Sequence, residues 1–338
     1  MHHIIEGYRN IPGSHCGSTA MRNLLAHYCG LELTEEVVFG LGSGVDLLYI
    51  RSAEVRPPVL LLGRSVTMEI DVAAALQVAY REQPDLDDAH AWQAVRGEVL
   101  AGRPTMLSGD AFYLTYRDFR VHFPSHRFVL LGFDDEAAEA WVADRIEPAA
   151  QRCSLDGLRR SRNPPDFIST YNLWGRFDDT AVGRLLPDAF AHALARSARR
   201  MLGDDRSQAG VLAMLSRGRP LTASSGLAAM RELADDLPGL LGRPDGPAIA
   251  TYAAACLEKY GTGGGNFRRM YAGFLRAAGA QLPGRVPADA AERADASAAA
   301  WTEVSAHLGA FDGAAAATAL RRAIAEETRL FESLAQQN

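Results

Sequence analysis

Residues 13–20, Gly13-Ser14-His15-Cys16-Gly17-Ser18-Thr19-Ala20, set a cysteine among small residues directly ahead of a helical apolar period. Ala20, Met21, Leu24, Leu25 and Tyr28 follow at the spacing of one helix face, with Ser18 or Thr19 as a ready N-cap. The spacing predicts a helix that begins immediately after Cys16. A thiol there lies at the positive pole of the helix, where its thiolate is stabilised and backbone N–H groups can meet an oxyanion. The flanking glycines and serines leave a carbonyl room to approach the sulfur.

A thiolate also needs an imidazole, and of the nine histidines His126 is the best placed. It opens the apolar run Arg127-Phe128-Val129-Leu130-Leu131-Gly132-Phe133, a strand rigid enough to hold a base against sulfur. The next strand, Ala140-Trp141-Val142-Ala143-Asp144, follows the acidic turn Asp134-Asp135-Glu136, so the two form a hairpin and Asp144 can orient His126. Cys16, His126 and Asp144 are the expected catalytic residues, with His15 and His122 as competing imidazoles. Asn10, six residues before Cys16, is an oxyanion candidate. Asp110 ends a third strand, within 104–114, and is a substrate binder or alternative orienting acid. His15 and Tyr113 complete the candidates for oxyanion or substrate contact.

The chain of 338 residues is long enough for two cores. Residues 1–165 mix short helices with strand-like runs, whereas 166–338 are rich in Ala, Leu and Arg at helical spacing. The Pro pair in Ser161-Arg162-Asn163-Pro164-Pro165-Asp166 marks the join. The expected class is α+β, an N-terminal domain with an antiparallel sheet followed by an α-helical domain, with helices near 182–201, 226–241, 248–260, 267–280, 290–308 and 314–334. Apolar faces on those helices can pack within the chain or on a second copy, and a homodimer is expected.

A net charge of -6 and a pI near 5.9 argue against nucleic acid as a partner. No eighteen-residue apolar run or leader pattern suggests a membrane, so the cytoplasm is expected. The four cysteines, Cys16, Cys29, Cys153 and Cys256, lack CxxC spacing and read as free thiols, with no metal site. Phe39-Gly40-Leu41-Gly42-Ser43-Gly44 lacks the strand and helix of a dinucleotide fingerprint and reads as a turn or the wall of an acyl pocket, so no cofactor is assigned. Gly261 to Gly265 could seat a phosphate at a helix start or simply end one helix and begin another.

The Gly-Ser-His-Cys-Gly-Ser-Thr-Ala run, Phe39 to Gly44 and His126 to Asp134 together resemble the N-terminal domain of the butirosin biosynthesis acyltransferase family. Gly261 to Tyr271 and Trp301 resemble its helical companion domain. The resemblance implies a papain-like fold and transfer of an acyl or aminoacyl chain from the phosphopantetheine thioester of an acyl carrier protein to a small-molecule amine, as the family's butirosin member does with an aminoglycoside. It matches Cys16 and His126 to the family's nucleophile and base, and Asp144 to the acid of papain-like relatives. The oxyanion donor there is usually glutamine, where this chain offers Asn10. Cyclisation, with the amine on the acyl chain itself, is a variant of the same chemistry. A hydrolase on the same residues (amidase, peptidase or editing thioesterase), an idle binding module, and an N-terminal-nucleophile hydrolase are the alternatives.

Overall fold

The computed structural model describes residues 1–164, 169–178, 187–204 and 220–337. In chain order its elements are β1 (His2–Ile4), α1 (Cys16–Cys29), α2 (Glu35–Leu41), β2 (Val45–Arg51), β3 (Val59–Arg64), α3 (Met68–Leu76), β4 (Tyr80–Gln83), α4 (Asp88–Leu100) and β5 (Thr105–Gly109). They continue through β6 (His126–Asp134), β7 (Glu139–Ala143), β8 (Gln151–Ser154), α5 (Leu155–Arg162), β9 (Trp174–Phe177), α6 (Pro187–Leu202) and β10 (Thr222–Ser225). Five helices end the chain: α7 (Gly226–Leu241), α8 (Gly246–Glu258), α9 (Arg268–Gln281), α10 (Ala290–Gly309) and α11 (Gly313–Gln337). The class is α+β. Two compact units form, one from Met1–Glu35 and the described residues of 77–184, the other from Glu36–Leu76, those of 185–211 and those of 220–338. The expected join at 165–166 and the start of the helix expected from 182 lie outside the described residues.

The first unit is built on an antiparallel sheet in the order β4-β9-β5-β6-β7-β8, with β1 also paired to β6. His126 to Phe133 are all buried, as an uninterrupted apolar run predicts for a central strand. Phe128, Leu130 and Phe133 join Val95, Val99, Leu107, Val142 and Trp174 in its core. The register shifts between Leu130 and Gly132, and one additional residue there keeps Phe133 in phase with Phe128 and Leu130. The β6–β7 hairpin forms as expected, its turn held by Asp134 Oδ1, which accepts from the N–H of Glu136 (2.8 Å) and Ala137 (3.0 Å). Gly109 pairs with His126, and Val129 with Ala143. Antiparallel order therefore brings the end of β5, the start of β6 and the end of β7 to one end of the sheet. The strand expected over 104–114 stops at Gly109, because Asp110 accepts from the Phe112 N–H (3.0 Å) and turns 111–113 into a single 3-10 turn.

In the second unit β10, β2 and β3 form a smaller antiparallel sheet with the helices of the C-terminal half. Phe39 to Leu41 are helical, and the buried Phe39 ring stacks on Phe267 at 5.3 Å. Phe39 thus lies in a core, and Gly42 and Ser43 form the expected turn. The Gly261–Gly265 loop turns its amides inward: Gly264 donates to Thr262 Oγ1 (3.0 Å), Gly265 to Glu258 Oε2 (2.8 Å) and Asn266 to the Leu257 carbonyl (3.0 Å). Those three groups are not available to a phosphate. At Gly265, where φ is 60°, any β-carbon would lie 2.6 Å from that of Ala298, so close helix approach requires glycine there. Among the described residues no helix is long and apolar enough to cross a membrane.

A buried ion pair ties this unit together. Glu327 on α11 accepts from Arg268 Nε (2.8 Å) and Nη2 (2.9 Å), Ser297 Oγ (2.6 Å) and Trp301 Nε1 (2.9 Å). Arg268 Nη1 donates to the carbonyls of Asp46 (2.7 Å) and Asn266 (2.8 Å). Glu327→Ala leaves the Arg268 charge buried without its partner and is expected to cost about 3–5 kcal/mol in denaturant unfolding followed by tryptophan fluorescence. The double change Arg268→Met with Glu327→Leu should cost less than the single one, since no charge remains to be solvated.

Candidate active site

Helix α1 begins at Cys16, but its N-cap is His15, at φ -114° and ψ 134°, whose Nδ1 accepts from the Ser18 N–H at 3.2 Å. The expected caps, Ser18 and Thr19, lie inside the first turn instead. Ser18 and Thr19 hydroxyls donate to Glu35 Oε1 at 2.9 and 3.1 Å. The same buried carboxylate accepts the Ser14 N–H on Oε2 (2.8 Å) and the His15 N–H on Oε1 (2.7 Å). Glycine is required at position 13 by this packing: a β-carbon there would sit 2.1 Å from Thr19 Oγ1 and 2.7 Å from Glu35 Oε2. The N–H groups of Cys16 and Gly17 make no hydrogen bond among the described residues, as expected in a first helical turn. Both remain open as oxyanion donors.

Cys16, His126 and Asp144 are each 5% exposed and come together. His126 Nε2 lies 3.0 Å from Asp144 Oδ2, and the His126 side chain hydrogen-bonds that of Cys16. With Nε2 engaged by the carboxylate, Nδ1 is the nitrogen left for sulfur. Asp144 follows β7 directly and accepts from Tyr116 Oη on Oδ2 (2.7 Å) and from the Arg145 N–H on Oδ1 (2.6 Å). The rings of Phe119, Phe123 and Phe128 lie 6.1, 6.4 and 5.9 Å from that of His126, giving the imidazole an aromatic surround.

Burial opposes the Cys16 thiolate, but the neighbouring His15 ring and the hydrogen bond and charge of His126 outweigh it and hold the thiol well below its ordinary range. Burial likewise disfavours the His126 cation, while the charge and hydrogen bond of Asp144, together with Cys16, raise its pKa to about 10. Desolvation also works against the Asp144 carboxylate, which the His126 charge and hydrogen bond, Tyr116 and the Arg145 N–H hold well below the usual range. The other three thiols move the opposite way. Burial raises Cys29 and Cys153 and pushes Cys256 up to about 12. The directions of all three shifts favour the charged forms, a thiolate beside an imidazolium beside a carboxylate.

The remaining sequence candidates have other duties. Asn10 donates both amide hydrogens to the carbonyls of Asp144 (2.8 Å) and Glu147 (2.6 Å), while its Oδ1 accepts from Asn23 Nδ2 (2.7 Å). It braces the segment carrying the acid and has no N–H left for an oxyanion. Asp110 pairs with His122 rather than His126, Oδ2 to Nδ1 at 2.6 Å, and caps the turn after β5. The Tyr113 ring meets His122 edge-on at 5.7 Å and lies under Arg160 at 4.5 Å. Glu35 and Tyr116 escape a reading of the sequence, because neither lies in a recognisable motif and each reaches the site across loops. Among the described residues no cluster of His, Cys, Asp and Glu could hold a metal ion.

Residues 15–145 match the family described as butirosin biosynthesis protein H, N-terminal, and residues 156–334 match a domain of unknown function, DUF4872. No curated protein matches the chain.

The buried pair makes stability depend on pH. His126 is raised from 6.5 to about 10, so its contribution is complete below pH 6.5 and is lost as pH rises through about 10. Asp144 is lowered from 3.8, so its contribution is present above that value and is lost as pH falls. Asp144→Asn keeps the shape but removes the charge, and its cost in thermal unfolding should be greatest, roughly 1–3 kcal/mol, between these limits. The gap from the unaltered protein should close as pH rises through about 10; a gap independent of pH would mean the two groups are not an ion pair.

Proposed function

The chain belongs to the family in which the butirosin biosynthesis protein H N-terminal domain is followed by a domain of unknown function, and from that membership and the triad we propose an acyltransferase of secondary metabolism working through a thioester on Cys16. One observation carries this reading. Of the four cysteines, Cys16 is the one whose thiol is held below its ordinary range, beside an imidazole paired with a buried carboxylate and under two unbonded N–H groups. A nucleophile at a helix start with its base on a sheet strand also supports a papain-like design.

In the proposed reaction the Cys16 thiolate attacks the thioester carbonyl of an acyl group carried on phosphopantetheine by an acyl carrier protein. The carbonyl oxygen takes the negative charge and meets the N–H groups of Cys16 and Gly17. As the tetrahedral adduct collapses, the phosphopantetheine sulfur leaves with the proton of the His126 imidazolium, and the acyl group stays on Cys16. An amine then attacks this second thioester, neutral His126 removes its proton, and the amide departs as Cys16 returns to thiolate beside the imidazolium. Asp144 holds the ring orientation through both halves. The buried thiol and the phenylalanines around His126 restrict water, which supports an amine rather than water as acceptor. Phosphopantetheine arrives on the carrier, so the reaction uses no resident cofactor.

Intact-protein mass spectrometry tests this directly. The unaltered protein and Cys16→Ala are each mixed with acyl-loaded carrier protein in the absence of amine. The expected result is a mass gain equal to the acyl group on the unaltered protein alone. Rapid release of free acid with no lasting adduct would make the protein a hydrolase, and a carrier that stays loaded across acyl groups would remove the thioester mechanism.

A further inference from the structure

Glu35 stands outside the triad, yet its buried carboxylate accepts four hydrogen bonds from the residues that surround the nucleophile, at 2.7 to 3.1 Å. Two come from the backbone of Ser14 and His15, immediately before Cys16, and two from the hydroxyls of Ser18 and Thr19 in the first turn of α1. This set does more than close a turn. It engages the Ser18 and Thr19 hydroxyls inside the first turn, whose cap is His15, and it fixes the peptide from which the His15 ring projects. That ring is 3% exposed, accepts from the Ser18 N–H at 3.2 Å and lies 3.0 Å from Ser18 Oγ. Its side chain also hydrogen-bonds Cys16. The thiol thus has an imidazole on its own helix end and another from β6.

We propose that Cys16 is served by two imidazoles with separate duties, His126 as the base and His15 as a fixed stabiliser of the thiolate, and that Glu35 is the positioning residue that holds His15 in place. The proposal rests on Cys16 being the reactive thiol, as in the preceding section. It assigns His15 a place at the sulfur in both halves of the reaction: when an amine takes the acyl group and the Cys16 sulfur departs as thiolate, His126 has just taken the amine's proton, and His15 is the second group already in contact with sulfur. The other charged or titratable groups around the nucleophile have their own partners. Asp144 and Tyr116 stand behind His126, Arg145 Nη1 donates to the Ser14 carbonyl (2.9 Å), and Arg22 Nη2 donates to the carbonyls of Ile11 and Pro12.

The charge and the positioning role of Glu35 predict opposite signs, which makes the proposal testable. A carboxylate acting only as a nearby negative charge raises the thiol pKa, so its removal should make Cys16 more acidic. A carboxylate acting through His15 does the reverse: its removal frees the imidazole and the thiol pKa climbs.

The experiment is the rate of Cys16 alkylation by iodoacetamide as a function of pH, with the modified peptide identified by mass, on the full chain and on Glu35→Gln, Glu35→Asp and His15→Asn. Asparagine is a good N-cap, so His15→Asn keeps the helix start while deleting the ring; a near-unchanged unfolding midpoint shows that it folds. The expected result is an acid limb moved to higher pH in His15→Asn and Glu35→Gln, so that alkylation at a fixed pH on that limb, below the thiol pKa of both proteins, falls about tenfold for each pKa unit of displacement, with a partial return in Glu35→Asp. An unchanged profile in folded His15→Asn, or a limb moved to lower pH in Glu35→Gln, overturns the proposal while leaving Cys16 as nucleophile. An ordinary thiol profile in the unaltered protein would instead overturn the reading of Cys16 itself.

Discussion

Keeping a sulfur ionised out of water requires opposite charge within a few ångströms, and that charge must itself be held against desolvation. In the first unit this requirement is met by a chain of contacts from Cys16 to His126 to Asp144, the last supported by Tyr116 and the Arg145 N–H. Each contact favours the charged form of the group before it. The antiparallel order of β5, β6 and β7 supplies the geometry, since it makes the start of β6 and the end of β7 coincide and lets α1 deliver its N-terminus to β6. Asn10 extends the same logic into the backbone by pinning the carbonyls of Asp144 and Glu147.

Two buried glutamates perform comparable work in the two units. Glu35 gathers four donors around the Cys16 turn, and Glu327 gathers four from Arg268, Ser297 and Trp301. A carboxylate has lone pairs enough for such a set and is costly to bury with fewer. Both therefore specify a single arrangement of the segments that reach them. The difference lies in what is held: helices against one another in the case of Glu327, and the amides and hydroxyls bordering Cys16 in the case of Glu35.

Other features that invite a functional reading resolve into packing. The glycine-rich loop at 261–265 uses its amides on Thr262, Glu258 and Leu257, and Phe39 lies in a core against Phe267. Glycine and aromatic clusters serve close approach and burial as readily as ligand binding, and only the partners of each group separate the two uses.

Local pattern was enough to establish the α+β class, the helix beginning at Cys16, the β6–β7 hairpin and most of the C-terminal helices, because the apolar periods of 3.6 and 2 are written in neighbouring residues. The same locality singles out Cys16, His126 and Asp144, which the fold brings together: one opens a helix among small residues, and the others flank strands joined by a short turn. What only the tertiary structure decided depends on residues far apart in the chain. It made His15 the cap of α1, drew Ser18 and Thr19 to Glu35, turned Asn10 from the sulfur to the Asp144 and Glu147 carbonyls, paired Asp110 with His122, and gathered Glu36–Leu76 with the C-terminal helices. A polar side chain such as glutamate or asparagine satisfies its hydrogen bonds wherever the fold brings donors and acceptors within about 3 Å, and no spacing along the sequence encodes that meeting.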